Sequence, residues 1–215
     1  MDFLAAGTRR HRAAATAGAA LLLAGCALAG CSGNVAKLPQ LPADAVVLAF
    51  GDSLTFGTGA QAEASYPAVL QKLIGRTVAN AGVPGEVSAA GLARLPDTLD
   101  EYQPALLILC HGGNDFLRKL GDAQAAENLR AMIRLAKERG IGVVLIAVPK
   151  PGLLPSPPDF YAGIAREFGL PYEAEALKTI LRDKGLKSDL AHPNAEGYTR
   201  LAQAVAALLK KSGAV

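Results

Sequence analysis

Apolar residues gather into three uninterrupted runs along this chain, at 46–50, 106–110 and 143–148. Short runs rich in Val, Ile and Leu predict strands buried on both faces, the pattern of a parallel sheet. Shorter strand candidates lie at 77–79 and 171–173. Between the strands the apolar positions change to helical spacing, over 66–74, 124–139, 159–168 and 195–211. Within 124–139, Leu129, Ile133 and Ala136 share one face, while Arg130, Arg134, Lys137 and Glu138 fall elsewhere, so this helix should bury a single stripe. Strands alternating with amphipathic helices predict an α/β domain whose parallel sheet is covered on both faces. No internal repeat or long low-complexity tract interrupts the pattern.

In such sheets ligands bind outside the C-terminal ends of the strands. The residues following each run therefore matter most. The first run stops abruptly at Gly51-Asp52-Ser53, with Gly57 and Gly59 close behind. Ser53 is a candidate nucleophile there, and equally a candidate N-cap for a following helix. The run 143–148 leads into Pro149-Lys150-Pro151-Gly152-Leu153-Leu154-Pro155-Ser156-Pro157-Pro158. A proline-stiffened apolar loop at that edge either walls an acyl pocket or serves as a rigid connector.

A serine nucleophile needs a base, most often histidine. The chain has three, of which His11 lies in the N-terminal leader, leaving His111 and His192. Asp189 precedes His192 by three residues, near enough in a turn to accept from its Nδ1–H and leave Nε2 free for the serine proton. Otherwise the two form a solvent-facing turn ahead of the last helix, for which Asn194 is the expected N-cap. His111 follows a buried strand and has no carboxylate three residues before it. It reads as a pocket-lining residue, a support behind the pocket, or a hydrogen-bonded histidine near the core. An oxyanion site needs fixed donors, and two glycine turns could provide them. One is Asn80-Ala81-Gly82-Val83-Pro84-Gly85-Glu86, through the Gly85 N–H. The other is Gly112-Gly113-Asn114-Asp115, through the Asn114 side-chain amide. Asp52 and Asp115 are expected to brace these loops rather than take part in the chemistry.

Ahead of this domain the chain changes character. Arg9, Arg10 and Arg12 precede an uncharged apolar stretch at 13–24, too short to cross a bilayer, which takes roughly 20 apolar residues. This reads as an export signal. Leu23-Ala24-Gly25-Cys26 and Leu28-Ala29-Gly30-Cys31 both resemble the bacterial lipobox. Cys31 is preferred for lipid attachment because a polar Ser32-Gly33-Asn34 follows it, with Cys26 the alternative. The expected organisation is a lipoprotein signal over 1–30, a tether with Pro39 and Pro42 over 31–44, and one catalytic domain over 45–213. Serine after Cys31 points to an outer-membrane address facing the periplasm. Lipidation would leave only Cys110, inside an apolar run, so no disulfide is expected and Cys110 should be a buried hydrophobe. Residues 1–30 take three of the 22 basic and one of the 19 acidic side chains, leaving 19 against 18. Near-neutral charge, no basic cluster and no Trp exclude an obvious nucleic-acid partner.

Ser53, Gly85, Asn114 and His192 occur in the order of the four blocks of the SGNH (GDSL) hydrolase family, which the chain resembles over residues 46–198. The blocks are Phe50-Gly51-Asp52-Ser53-Leu54-Thr55, Gly82-Val83-Pro84-Gly85, Gly112-Gly113-Asn114-Asp115 and Asp189-Leu190-Ala191-His192-Pro193. Ala64-Ser65-Tyr66-Pro67 and Gly91-Leu92-Ala93-Arg94-Leu95-Pro96 are similar to its small bacterial branch of arylesterases, thioesterases and lysophospholipases. Cys110-His111 ahead of the third block departs from the usual pattern. The resemblance implies a three-layer α/β/α sandwich with a five-stranded parallel sheet, flavodoxin-like in order. It implies Ser53 as nucleophile, His192 as base, Asp189 as its orienter, and an oxyanion hole of the Ser53 N–H, Gly85 N–H and Asn114 side chain. The expected activity is hydrolysis of small or lipid esters by a monomer, with no metal and no cofactor. The alternatives are an O-acetyl esterase acting on envelope polysaccharide and a non-catalytic lipoprotein that binds acyl chains or glycans. The G-x-S-x-G elbow of the other common serine-esterase fold is absent around Ser53.

Overall fold

The computed structural model describes residues 35–215. The expected leader, Cys26, Cys31 and the first residues of the tether lie outside the described residues.

Five strands form one sheet in the order β2-β1-β3-β4-β5, the flavodoxin-like order. They are β1 (Val46–Gly51), β2 (Thr77–Gly82), β3 (Leu106–Cys110), β4 (Gly142–Ile146) and β5 (Tyr172–Glu173), and every pairing is parallel. β3 is buried throughout and β1 and β4 nearly so, which is why they read as continuous apolar runs. Gly51 lies level with Gly82 on one side and Cys110 on the other. Three strands thus end in step, and the turns that follow them start side by side.

Helices α2 (Tyr66–Ile74) and α8 (Ala195–Ser212) pack together on one face of the sheet, with α7 (Ala176–Arg182) against α8. The other face carries α3 (Ser88–Tyr102), α5 (Asp122–Glu138) and α6 (Phe160–Phe168). One-turn helices α1 (Ser53–Phe56) and α4 (Gly113–Leu117) follow β1 and β3. The expected three-layer sandwich is therefore present.

The differences from the sequence pattern have local causes. β2 runs on to Gly82 because Asn80 and Ala81 keep register with Ala49 and Phe50 despite their weak strand preference. α3 has no apolar stripe strong enough to announce it, and it contains Gly91 and Pro96. Gly91 is required by tertiary packing: a Cβ there would sit 2.5 Å from His111 Nε2. Residues 35–44, expected to be a tether, are instead packed on the domain. The Leu38 N–H donates to Ser212 O at 3.0 Å and the Leu41 N–H to Ala214 O at 2.9 Å, and the Leu41 side chain is buried. Ala214 is fully buried as well, so the packed chain continues beyond residue 213.

Candidate active site

β1 and β3 are neighbours from which the chain departs in opposite directions, making their C-terminal ends the switch point where α/β sheets bind ligands. Ser53 opens α1 immediately beyond β1. It is not the cap of that helix: Asp52 caps it, its Oδ1 accepting from the Leu54 N–H at 3.0 Å. The serine hydroxyl is left free for another partner, and that partner comes from 139 residues further along the chain. His192 Nε2 lies 2.9 Å from Ser53 Oγ.

The imidazole is held from behind. Asp189 Oδ2 and Oδ1 lie 2.8 and 3.0 Å from His192 Nδ1, so Nδ1 carries the proton and Nε2 accepts from the serine hydroxyl. Asp189 Oδ1 also accepts the Ala191 and His192 N–H groups at 2.7 and 2.9 Å. Partial burial would raise the Asp189 carboxyl, but these N–H donors and the imidazole outweigh it and lower it below the ordinary carboxylate range. Ser188 N–H donates to His192 O, and Asn194 N–H to Leu186 O, closing the loop on itself. Asn194 caps α8 as expected, its Oδ1 accepting the Gly197 N–H at 3.0 Å, while its Nδ2 holds Gly185 O at 2.8 Å.

Gly85 and Asn114 lie on the same edge. Gly85 has φ +78°, a conformation that favours glycine. Among the described residues, neither the Ser53 nor the Gly85 N–H has a protein acceptor. Asn114 Nδ2 donates to Glu86 O at 2.9 Å and reaches Asp52 Oδ2 at 3.3 Å. Asp52 and Asp115 brace loops, as expected. Burial pushes the Asp52 carboxyl up, against the Leu54 N–H and nearby charge. Asp115 accepts the Ser88 N–H and hydroxyl at 2.8 and 2.6 Å, and so caps α3 from a distant part of the chain.

These residues surround a cleft of about 270 Å³. Its floor holds Ser53, Asn114 and His192, and its walls are apolar: Leu117, Val148, Leu181 and Leu190, with Pro149, Pro151 and Pro155 of the proline-rich loop. That loop is therefore a wall of the cleft. His111 is fully buried and lies outside the cleft lining, which removes the pocket-lining reading and leaves two, a support behind the pocket and a hydrogen-bonded histidine near the core. Cys110 is likewise buried. Among the described residues no cluster of His, Cys, Asp and Glu has the arrangement of a metal site.

A family model described as GDSL-like lipase/acylhydrolase matches residues 49–200. The chain belongs to this family. The GDSL domain is 37% identical to esterase TesA of Pseudomonas aeruginosa over 137 residues, covering 61% of this chain and 65% of that one, just under two thirds of its length. It is 30% identical over 172 residues to thioesterase 1/protease 1/lysophospholipase L1 of Escherichia coli, covering 76% of this chain and 83% of that protein. Among solved structures, the crystal structure of TesA superposes with a TM-score of 0.69 at 30% identity, covering 77% of this chain and 98% of that one.

Two residues beside the GDSL site, Glu86 and Arg94, have no role in the sequence reading. Glu86, next to Gly85, is buried and paired with Arg94 and His111. Burial alone would raise its carboxyl, but hydrogen bonds from His111 and Arg94 lower it to about 2. Only an acidic residue beside Gly85 signalled this group, because its partners arrive on α3 and from just beyond β3.

Proposed function

We propose that this protein hydrolyses carboxylic esters through an acyl-enzyme on Ser53. Ser53 Oγ attacks the ester carbonyl carbon while its proton passes to His192 Nε2. The carbonyl oxygen, now an oxyanion, is met by the Ser53 and Gly85 N–H groups and the Asn114 side-chain amide, whose long contact to Asp52 yields to the stronger acceptor. The carbon–oxygen bond to the leaving alcohol breaks, and His192 returns the proton to that oxygen. Water then attacks the acyl-serine, gives its proton to His192 and restores the Ser53 hydroxyl. Asp189 keeps the imidazole in the right tautomer and stabilises its charged form.

The contact that carries this reading is Ser53 Oγ to His192 Nε2 at 2.9 Å, backed by Asp189. Ser53→Ala should abolish hydrolysis of a chromogenic short-chain ester and block fluorophosphonate labelling, with the fold intact by circular dichroism. Substantial residual turnover in that variant would refute the assignment. The apolar cleft walls favour an acyl chain over a polysaccharide, and a paired serine–histidine set has no use in a simple binder. All the proposed groups come from one chain, which supports a monomer as the working unit. The arginine-led apolar leader and Cys31 support export and lipid anchoring in the cell envelope. Mass spectrometry of the membrane-bound protein tests this, and a Cys31→Ser protein that still carries lipid would shift the site to Cys26.

A further inference from the structure

The turn carrying Gly85 and the turn carrying Asn114 share a polar group whose own side chains lie outside the cleft lining. Arg94, on α3, grips the Glu86 carboxylate with two bonds of 2.7 Å, from Nε to Oε1 and from Nη2 to Oε2. The same Nη2 reaches Ala81 O at 2.9 Å and Gly51 O at 3.3 Å, the final turns of β2 and β1. His111 Nε2 lies 3.1 Å from Glu86 Oε2. The Gly112 N–H donates to His111 Nδ1 at 2.9 Å, which makes Nδ1 the acceptor and Nε2 the protonated nitrogen. Glu86 also uses its backbone: its carbonyl is the 2.9 Å acceptor for Asn114 Nδ2.

We infer that Glu86, Arg94 and His111 form a positioning network that sets the oxyanion donors, resting on the ester-hydrolase reading above. Each connection leads to one donor. Glu86 follows Gly85 directly, so clamping its carboxylate fixes the backbone that aims the Gly85 N–H. The Glu86 carbonyl orients the Asn114 amide. The Gly112 N–H bond to His111 holds the left-handed Gly112, at φ +109°, from which Gly113 and Asn114 emerge. Arg94 joins this group to Gly51, two residues before Ser53. Its two inner members are desolvated, the side chains of Glu86 and His111 being 6% and 0% exposed, while Arg94 at 27% reaches them from the rim. Donors held this way need no reorganisation as charge develops on the substrate oxygen.

The test uses three variants: His111→Leu, which removes both imidazole bonds; Glu86→Gln, which keeps the shape and removes the charge; and Gly91→Ala. The last adds a methyl 2.5 Å from His111 Nε2 while deleting no polar group. Active sites are counted by fluorophosphonate titration, so misfolded protein does not enter the rates. Misplaced donors should lower kcat per titrated serine by roughly 10–100-fold, since small displacements of a reacting group cost about that much. KM should stay within about threefold, because oxyanion donors act on the transition state. Affinity for a boronic acid, which forms a tetrahedral adduct on serine, should weaken in proportion to kcat/KM. Glu86→Gln should retain the most activity, as it preserves an acceptor for Arg94. If all folded variants match the parent in kcat and boronate affinity, the network is structural only and the inference falls, while ester hydrolysis by Ser53 stands. If the parent protein itself is neither labelled nor active, the reading beneath the inference falls with it.

Discussion

At the scale of single residues, Asp189 has two duties that a variant can separate. It orients His192 and ties down the Ala191 and His192 N–H groups. Asn at this position keeps an oxygen for the backbone N–H groups but presents an amide to the imidazole, favouring the wrong tautomer. Asp189→Asn should therefore lower kcat by roughly 10³–10⁴-fold with little change in melting temperature; steady-state kinetics and a thermal melt check both. Glu86 makes a different prediction, about acid. Its folded pKa of about 2 lies below the ordinary value of 4.5. Its stabilisation is then complete above about pH 4.5 and is lost as pH falls towards 2, amounting to no more than about 3 kcal/mol. Thermal melts between pH 5 and pH 3 should lose stability in the parent protein and lose less in Glu86→Gln. The sequence exposed Ser53, Asp189 and His192 because strand end and DxxH spacing are local. Glu86 and Arg94 were not legible, since their meeting depends on how α3 lies across three strand ends.

Among the elements, α3 and α8 differ in how their starts are marked. α8 opens with Asn194, a cap in its own sequence, and was readable to within a residue. α3 opens after Val87 with no side-chain cap of its own and takes Asp115 from beyond β3 instead. A helix capped from elsewhere gives no start signal, and Gly91 and Pro96 further mask it. Asn194→Ala should cost about 1 kcal/mol through the lost cap, lowering Tm by roughly 2–4 °C. Asn194→Asp keeps the acceptor beside a helix N-terminus but loses the donor to Gly185 O, so it should recover the cap's share of that loss and no more. Differential scanning calorimetry distinguishes the two. Because the same residue closes the loop that bears His192, the alanine variant should also show a lower kcat.

For the whole molecule, the parallel sheet and its helical covers were evident from the alternation of apolar runs and amphipathic stretches. The cleft was not, because its walls come from separate loops: Leu117 beyond β3, the proline-rich loop beyond β4, and Leu190 before α8. An apolar trough of this kind should make kcat/KM rise with acyl length until the trough is filled. Leu190→Ser should flatten that rise and leave acetyl esters unaffected, as an ester series with each protein would reveal. Residues 35–41 lie at the far edge, where Leu38 meets the start of β4 and Arg76, just before β2, bonds to Leu41 O. Beginning the chain at residue 42 should lose about 2–3 kcal/mol for Leu41 alone, seen as a lower Tm with unchanged turnover of a soluble ester.

The pairing of Leu38 with Ser212 brings the first described residues and the last within one hydrogen bond of each other, behind the sheet. A bead, a carrier or a fused partner joined at Val35 or Val215 would stand at the back of the molecule, and the mouth that admits substrate would stay open. A peptide bridge of a few residues from Val215 back to Val35 would close the described domain into a ring without crossing that mouth.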